Sequence, residues 1–147
     1  MFVSEKLEVR TYAPLQVVDL TPDLSRLVSS MAIEKNLVDA VVTVYSKERA
    51  SGLRVAHEDL ELMSDALPLL KHSYANQPEM FEGEGLSERG LSFLANIFLQ
   101  NSVSLPIVNR ELALGASQSL LYYDLVGPRN VNLPVMLVPA VSYSTER

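Results

Sequence analysis

The sequence predicts an α+β fold in a single domain that spans residues 1–147, and three observations support this. Hydrophobic patterns follow the order strands, helix, strand, two helices and strands, which favours segregated elements over a doubly wound sheet. A length of 147 residues suits one hydrophobic core. With 48% hydrophobic and 20% charged residues, the chain can bury that core rather than stay disordered.

The first quarter of the chain predicts two strands and a helix. Residues 2–11 alternate loosely between apolar and polar side chains, which is typical of a half-buried strand. Leu15 to Leu20 predicts a second short strand. We expect Thr21 to cap a helix that has Pro22 at its first position. The inner face of that helix consists of apolar residues at helical spacing: Leu24, Leu27, Val28 and Met31.

The middle of the chain predicts a strand, two helices and a long loop. Val38 to Tyr45 is rich in β-branched residues and predicts a strand covered on both faces. A helix is expected from near His57 until Pro68 ends or kinks it. Residues 71–87 lack a hydrophobic period and predict a loop. Ser87 then caps a third helix that runs to Leu99. The residues predicted to face inward are Leu60, Met63 and Leu67 in the earlier helix, and Leu91, Leu94, Ala95 and Phe98 in the later one.

The last third of the chain predicts strands almost throughout. The predicted segments are Val103–Val108, Leu112–Leu114, Ser119–Val126 and Leu133–Tyr143. Pro134 and Pro139 fall inside the last segment, and a proline cannot donate a ladder hydrogen bond. We therefore expect that strand to be bulged or to lie at a sheet edge.

Composition excludes several classes of function. The net charge is −6 and no stripe of Lys or Arg is present, so nucleic acids and anionic membranes are not expected partners. The absence of cysteine excludes disulfides, thiolate catalysis and thiolate metal sites. The charged N-terminal residues do not resemble a signal peptide, and no apolar run approaches the roughly 20 residues of a membrane span. We expect a cytoplasmic protein.

Three places could carry chemistry, and each also has a plain structural interpretation. His57 is either a polar residue at a helix start or a lone acid or base. The polar turn from Ser46 to Gly52 could position an anionic substrate, or it could simply be solvated. A third possibility is a set of acidic side chains that could offer oxygens to Mg²⁺ or lie in a hydrated loop: Glu82, Glu84 and Glu88. The two histidines, His57 and His72, have no spacing that would pair them on one metal.

The C-terminal third resembles the YjbQ-like family, whose members have a secondary thiamine-phosphate synthase activity. The segments that carry the resemblance are Ser104–Val108, Arg110–Gly115, Gln118, Leu121, Asp124 and Gly127–Arg129, with weaker support from Val44–Leu53. The resemblance implies an α+β fold with a two-sheet β-sandwich, about three helices and assembly as a homotrimer. It also implies a site of clustered histidines that can hold a divalent ion.

The chain departs from the family at that site. The positions of two expected histidines hold Glu48 and Phe93, and no imidazole lies near Phe81, where another is expected. The two threonines that follow the first histidine are replaced by Arg49 and Ala50, and a family tryptophan is replaced by Ser117. A phenyl ring cannot ligate a metal, and one carboxylate cannot complete a zinc shell. We therefore expect no metal and no cofactor.

The resemblance leaves four candidate ligand-binding residues: Glu48, Arg49, Gln118 and Arg129. Their arginines could hold a phosphate or a carboxylate by charge-assisted hydrogen bonds. The first hypothesis is an oligomeric scaffold whose pocket binds either a phosphorylated or carboxylate small molecule or a protein partner. The second is an enzyme that uses His57 as base and Arg49 or Arg129 to clamp the substrate. A third hypothesis retains the synthase reaction through the arginines alone.

Overall fold

A computed structural model describes residues 3–57, 68–69, 71–83 and 85–140, with the backbone alone for residues 3 and 57. Two helices lie wholly within the described residues, α1 (Thr21–Glu34) and α2 (Glu88–Phe98), and residues 68–69 and 71–73 are also helical. The strands are β1 (Val3–Arg10), β2 (Gln16–Asp19), β3 (Ala40–Tyr45), β4 (Ser51–His57), β5 (Phe81–Glu82), β6 (Gly85–Leu86), β7 (Ser102–Val108), β8 (Glu111–Leu112), β9 (Gln118–Asp124) and β10 (Asn130–Pro139). Among these described helices, none is long and apolar enough to cross a membrane.

Two antiparallel sheets and α1 enclose the main core. One sheet has the order β1-β10-β3-β7-β8, and the other has the order β2-β9-β4. The side chains of Leu53, Leu120 and Tyr122 on the smaller sheet belong to the same buried cluster as Val42 and Leu133 on the larger one. The predicted α+β fold with two packed sheets is therefore confirmed.

A second core separates the smaller sheet from α2. Strand β9 is covered on both faces, because Leu121 and Tyr123 face α2 while Leu120 and Tyr122 face the other sheet. Helix α2 contributes Leu94 and Ala95 to this second core, as their helical spacing predicts. Its cap is the predicted one, since the Ser87 hydroxyl accepts a hydrogen bond from the Gly90 N–H at 3.1 Å.

The predicted cap of α1 is wrong. Thr21 is already a helical residue, and its hydroxyl accepts from the Leu120 N–H at 2.9 Å, which ties the helix to β9. The Asp19 carboxylate instead accepts from the Thr21 N–H at 2.9 Å. Thr21 and Asp19 both fit the pattern of a helix start, so the sequence alone could not assign the cap.

Strand β3 is covered on one face only, contrary to prediction. Ala40, Val42 and Val44 are buried, whereas Val41 and Tyr45 are 41% and 40% exposed. The β-branched run predicted a strand correctly, but β-branched residues also occur on exposed faces, so the run does not report which faces are covered.

Strand β10 is neither bulged nor at a sheet edge, so the expectation that we based on its two prolines is wrong. It lies between β1 and β3 in continuous register. Pro134 precedes the first β3 partner of this strand, and Pro139 follows its last β1 partner. Each proline thus has one side without a ladder partner, where a missing N–H costs little.

Two further expectations need correction. Strand β4 occupies Ser51–His57, where we predicted a turn followed by a helix start. The predicted loop 71–87 contains helical residues 71–73, a 3-10 turn at Pro78–Met80 and the β5-β6 hairpin. These elements have only two or three residues, too few to show a period. The inner face predicted for the second helix, Leu60 to Leu67, lies outside the described residues.

Candidate functional site

Residues 46–50 form a turn that joins β3 to β4 at one end of the sandwich, and we call it the 46–50 turn. The Ser46 N–H donates to the Asn101 carbonyl at 2.7 Å. The Ser46 and Ser51 hydroxyls lie 3.1 Å apart, and the Ser51 hydroxyl also donates to the Glu48 carbonyl at 2.9 Å. The turn is therefore held at both of its ends, which gives its side chains a fixed base.

The middle of the turn is held as well. Ala50 has a left-handed φ of 50°, which is uncommon for a residue with a side chain. Its carbonyl accepts from the Leu125 N–H at 3.0 Å, and the Arg49 carbonyl accepts from Arg129 Nη2 at 2.8 Å. Both bonds come from the segment after β9, which thereby fixes the strained turn.

A cavity of about 270 Å³ opens between the 46–50 turn and α2. Hydroxyl, amide and charged side chains dominate its wall. The lining residues are Tyr45, Ser46, Lys47, Glu48, Arg49, Ala50, Ser51, Ser92, Asn96 and Asn101. We call this space the turn cavity. The hydrogen-bond donors and acceptors of this wall suit a small polar ligand, because they can bond to the polar groups that the ligand would bury in the cavity.

The charges at the turn cavity are accessible. Lys47 and Arg49 are exposed, and Glu48 is partly buried. Arg49 forms an ion pair with Glu88 at the start of α2, and the two side chains are 74% and 55% exposed. Two of the predicted ligand-binding residues, Glu48 and Arg49, thus line one cavity.

Arg129 lies beside the turn but is engaged with the fold. Its Nη2 is 3.0 Å from Oδ1 of Asp124, which is fully buried. Oδ2 of the same carboxylate accepts from the Thr11 hydroxyl at 2.6 Å, and that hydroxyl accepts from the Arg129 N–H at 3.0 Å. Gly127 permits this approach, because a Cβ there would lie 2.8 Å from Asp124 Oδ2. The acid and the Gly-Pro-Arg turn of the family pattern thus form one buried network.

Tyr122 places a phenol at the same end of the sandwich. The residue is fully buried, and its hydroxyl has no hydrogen-bond partner within the described part of the chain. Burial raises the pKa of this phenol above 10.0, and the nearby hydroxyls of Ser51 and Ser46 and the charge of Arg129 oppose that rise only in part.

Gln118 and His57 lie at the opposite end of the smaller sheet. They pair with each other in the β4-β9 ladder, while Ser51 pairs with Asp124 at the other end. Six residue steps of extended strand separate Gln118 from Asp124, about 20 Å. Gln118 accepts from the Gly115 N–H at 2.9 Å. Within one chain, Gln118 therefore does not join Arg49 and Arg129, contrary to the expectation of one pocket.

The remaining substituted positions, Phe81, Phe93 and Ser117, do not line the turn cavity. The Phe93 ring packs edge-on against Tyr74 at 4.8 Å between centroids and is not among the residues that line the turn cavity. Phe81 starts the β5-β6 hairpin, and Ser117 is exposed. Within the described ranges no three His, Asp or Glu side chains lie close enough to share a metal ion. The side chain of His57, our candidate base, lies outside the described residues.

Sequence reasoning did not single out several residues of this end. Tyr122, Asn96 and Asn101 come from separate segments and match no motif, whereas Ser51 lies within the polar turn that the sequence indicated. Asp124 was part of the resemblance, but its pairing with Arg129 depends on the backbone path of the turn between them. No local signal reports these contacts.

Comparison with known proteins assigns the chain to a family. The model of the family described as "UPF0047 protein YjbQ-like" matches residues 5–139. The chain belongs to the YjbQ-like family. A UPF0047 protein of Methanothermobacter thermautotrophicus is 24% identical over 132 residues, which cover 90% of this chain and 89% of that protein. A UPF0047 protein of Archaeoglobus fulgidus is 25% identical over 124 residues, which cover 84% and 92%.

Solved structures support the same fold. A YjbQ-like protein of unknown function from Sulfolobus solfataricus superposes with a TM-score of 0.71 at 16% identity, over 95% of this chain and 99% of that one. A hypothetical protein from Aeropyrum pernix gives a TM-score of 0.71 at 20% identity, over 94% and 99%. At such identities the match concerns the fold of this YjbQ-like chain.

Proposed function

We propose that this YjbQ-like chain is a homotrimeric binding protein that holds a small anionic molecule in the turn cavity without a metal ion. The observation that carries the proposal is the cavity itself, where two exposed cations stand beside neutral donors and acceptors and one partly buried carboxylate, Glu48. Lys47 and Arg49 supply the charge, and Ser46, Asn96 and Asn101 supply neutral hydrogen-bonding groups. This combination suits a phosphate or a carboxylate.

The two arginines differ in exposure and in their ion-pair partners, and this difference indicates which of them can bind a ligand. Arg129 already faces the buried carboxylate of Asp124, so its charge is compensated inside the fold. Arg49 is exposed, and its only ion pair in the described part of the chain is with the exposed Glu88. We therefore assign anion binding to Arg49 and Lys47, and we assign Arg129 the positioning of the turn.

Binding of inorganic phosphate, measured by titration calorimetry, tests the proposal. We expect the double variant Lys47→Ala, Arg49→Ala to bind about tenfold or more weakly, because charge-assisted hydrogen bonds are lost. Lys35→Ala, which removes an exposed positive charge just after α1, is the control and should bind like the unmodified protein. Binding should also be unchanged by a chelator.

Two results would contradict the proposal. One is phosphate binding that the double variant leaves intact. The other is thiamine-phosphate synthase turnover that a chelator abolishes, since it would require both catalysis and a metal.

The outer face of the larger sheet supports the proposal of a trimer. Large apolar side chains on three adjacent strands are exposed there: Val41 at 41%, Val108 at 49%, Met136 at 38% and Val138 at 47%. A contiguous apolar patch of this kind marks an interaction surface. We expect sedimentation equilibrium to give three chain masses, and Val41→Lys with Val138→Lys to give one. A mass near 16.3 kDa for the unmodified protein would contradict the trimer.

A further inference from the structure

An arginine and a glutamate form an ion pair at the rim of the turn cavity. Arg49 lines the cavity, and its partner Glu88 lies one helical turn before Ser92, which also lines it. Residues four apart on a helix share one face, so Glu88, Ser92 and Asn96 form a row that leads along α2 into the cavity. The cation and the anion therefore stand at the same opening.

This pair is easily exchanged. With side chains that are 74% and 55% exposed, Arg49 and Glu88 keep much of their hydration, and their mutual attraction is weak. The Arg49 backbone would not move during an exchange, because Arg129 Nη2 holds its carbonyl at 2.8 Å. Only two flexible side chains need to turn.

A simple anion and a zwitterion would have different effects on the Arg49–Glu88 ion pair when they bind at this opening. An anion that binds Arg49 displaces Glu88, and the released carboxylate remains close by as a tethered competitor. A ligand with an ammonium group near its anionic group gives Glu88 a new partner at the same time. Both charges of the original pair are then compensated, which favours the zwitterion.

We propose that the turn cavity selects small zwitterions, in which a phosphate or carboxylate binds Arg49 and Lys47 while an ammonium group binds Glu88. The inference rests on the proposed function and names the ligand class of the same site. It makes Glu88 a specificity-determining residue, although no family pattern described above includes it.

Two matched probes test the inference, aminoethyl phosphate and ethyl phosphate, which differ only in the ammonium group. We expect the unmodified protein to bind aminoethyl phosphate more tightly by calorimetry, by up to about fivefold, which is the upper end of what an exposed ion pair supplies. In Glu88→Gln this preference should disappear, and ethyl phosphate should bind more tightly than before, because the competitor is gone. These opposite changes would not follow from a merely structural role of Glu88.

Two control variants accompany the test. Glu88→Asp keeps the carboxylate and should retain the preference. Glu111→Gln removes an exposed carboxylate on β8 and should behave like the unmodified protein. Equal binding of the two probes, or a preference that survives in Glu88→Gln, would overturn the inference and leave the proposed function standing. If neither phosphate binds the unmodified protein, both fail.

Discussion

Two arginine–carboxylate pairs meet at one end of this molecule, and they differ in burial. In the pair Asp124–Arg129 the side chains are 0% and 21% exposed, whereas in Glu88–Arg49 they are 55% and 74% exposed. The pairs touch, because Arg129 Nη2 also donates to the Arg49 carbonyl at 2.8 Å. The same chemistry thus occurs in two environments a few ångströms apart.

The difference teaches which arginine is available to a ligand. A buried carboxylate has lost its hydration and requires its partners, so breaking such a pair leaves an uncompensated charge. An exposed carboxylate returns to water at little cost when its partner leaves. The family pattern gives no reason to prefer one arginine, but burial shows that Arg129 is engaged with the fold, which is why we propose Arg49 as the ligand contact.

The largest expected effect follows from breaking the buried pair. Arg129→Met should lower the free energy of unfolding by about 3–5 kcal/mol, because Asp124 stays buried without its cation. Urea denaturation measures this value. Arg49→Met is the matched control in the exposed pair and should cost less than about 1 kcal/mol.

A second variant separates lost charge compensation from lost packing. Asp124→Asn added to Arg129→Met removes the uncompensated charge and should recover part of the lost stability. Nearly equal losses for Arg129→Met and Arg49→Met would contradict the contrast between the two pairs.

The hydroxyl of Tyr122 sharpens the contrast, because it is buried near the Ser46 and Ser51 hydroxyls but makes no hydrogen bond of normal geometry in the described part of the chain. Tyr122→Phe should raise the free energy of unfolding by about 1 kcal/mol, because an unsatisfied buried hydroxyl is removed. Thermal and urea denaturation at neutral pH measure the gain. Thr11→Val, which removes the hydroxyl that donates to Asp124 and accepts from the Arg129 N–H, should instead destabilise. Destabilisation by Tyr122→Phe would show that the phenol is hydrogen-bonded to the Ser46 or Ser51 hydroxyl.

The raised pKa of the same phenol predicts that the free energy of unfolding depends on pH in alkaline solution. Burial raises the pKa of Tyr122 above 10.0, so in alkaline solution the unfolded chain loses this proton before the folded chain does. The stability that the raised pKa contributes is complete below pH 10 and is lost as the pH rises through the folded-state pKa. Tyr122→Phe should therefore lose less stability than the unmodified protein between pH 9 and pH 11. Equal slopes would contradict the assignment.

Much of the fold follows from local patterns. The alternation in β1, the helical spacing in α2 and the Ser87 cap each reflect interactions within a few residues, which a sequence displays directly. Strand β4 was missed because its burial does not alternate cleanly: Ser51, Gly52 and Leu53 are buried in succession. The position of β10 was missed because it depends on where its neighbours end.

The site was less predictable for a related reason. The contact between Arg129 and Arg49 joins residues 80 positions apart, and the hydrogen bond from Thr11 to Asp124 joins residues 113 positions apart. Resemblance to a family identified four positions, but it could not show that Gln118 lies at the far end of the sheet. Spacing along a chain does not report contacts of this kind.

The smallest effect is expected in the exposed pair itself. Glu88→Gln removes an exposed ion pair and an acid from the first turn of α2, each of which contributes about 0.3–1 kcal/mol at low salt. The loss in unfolding free energy should therefore be small, and it should shrink between 0.1 M and 1 M NaCl because salt screens exposed charges. The loss in Arg129→Met should persist in high salt, since its carboxylate is shielded from the solvent. A Glu88→Gln loss above about 2 kcal/mol, or one that salt leaves unchanged, would mean that this pair supports the fold and is not free to exchange with a ligand.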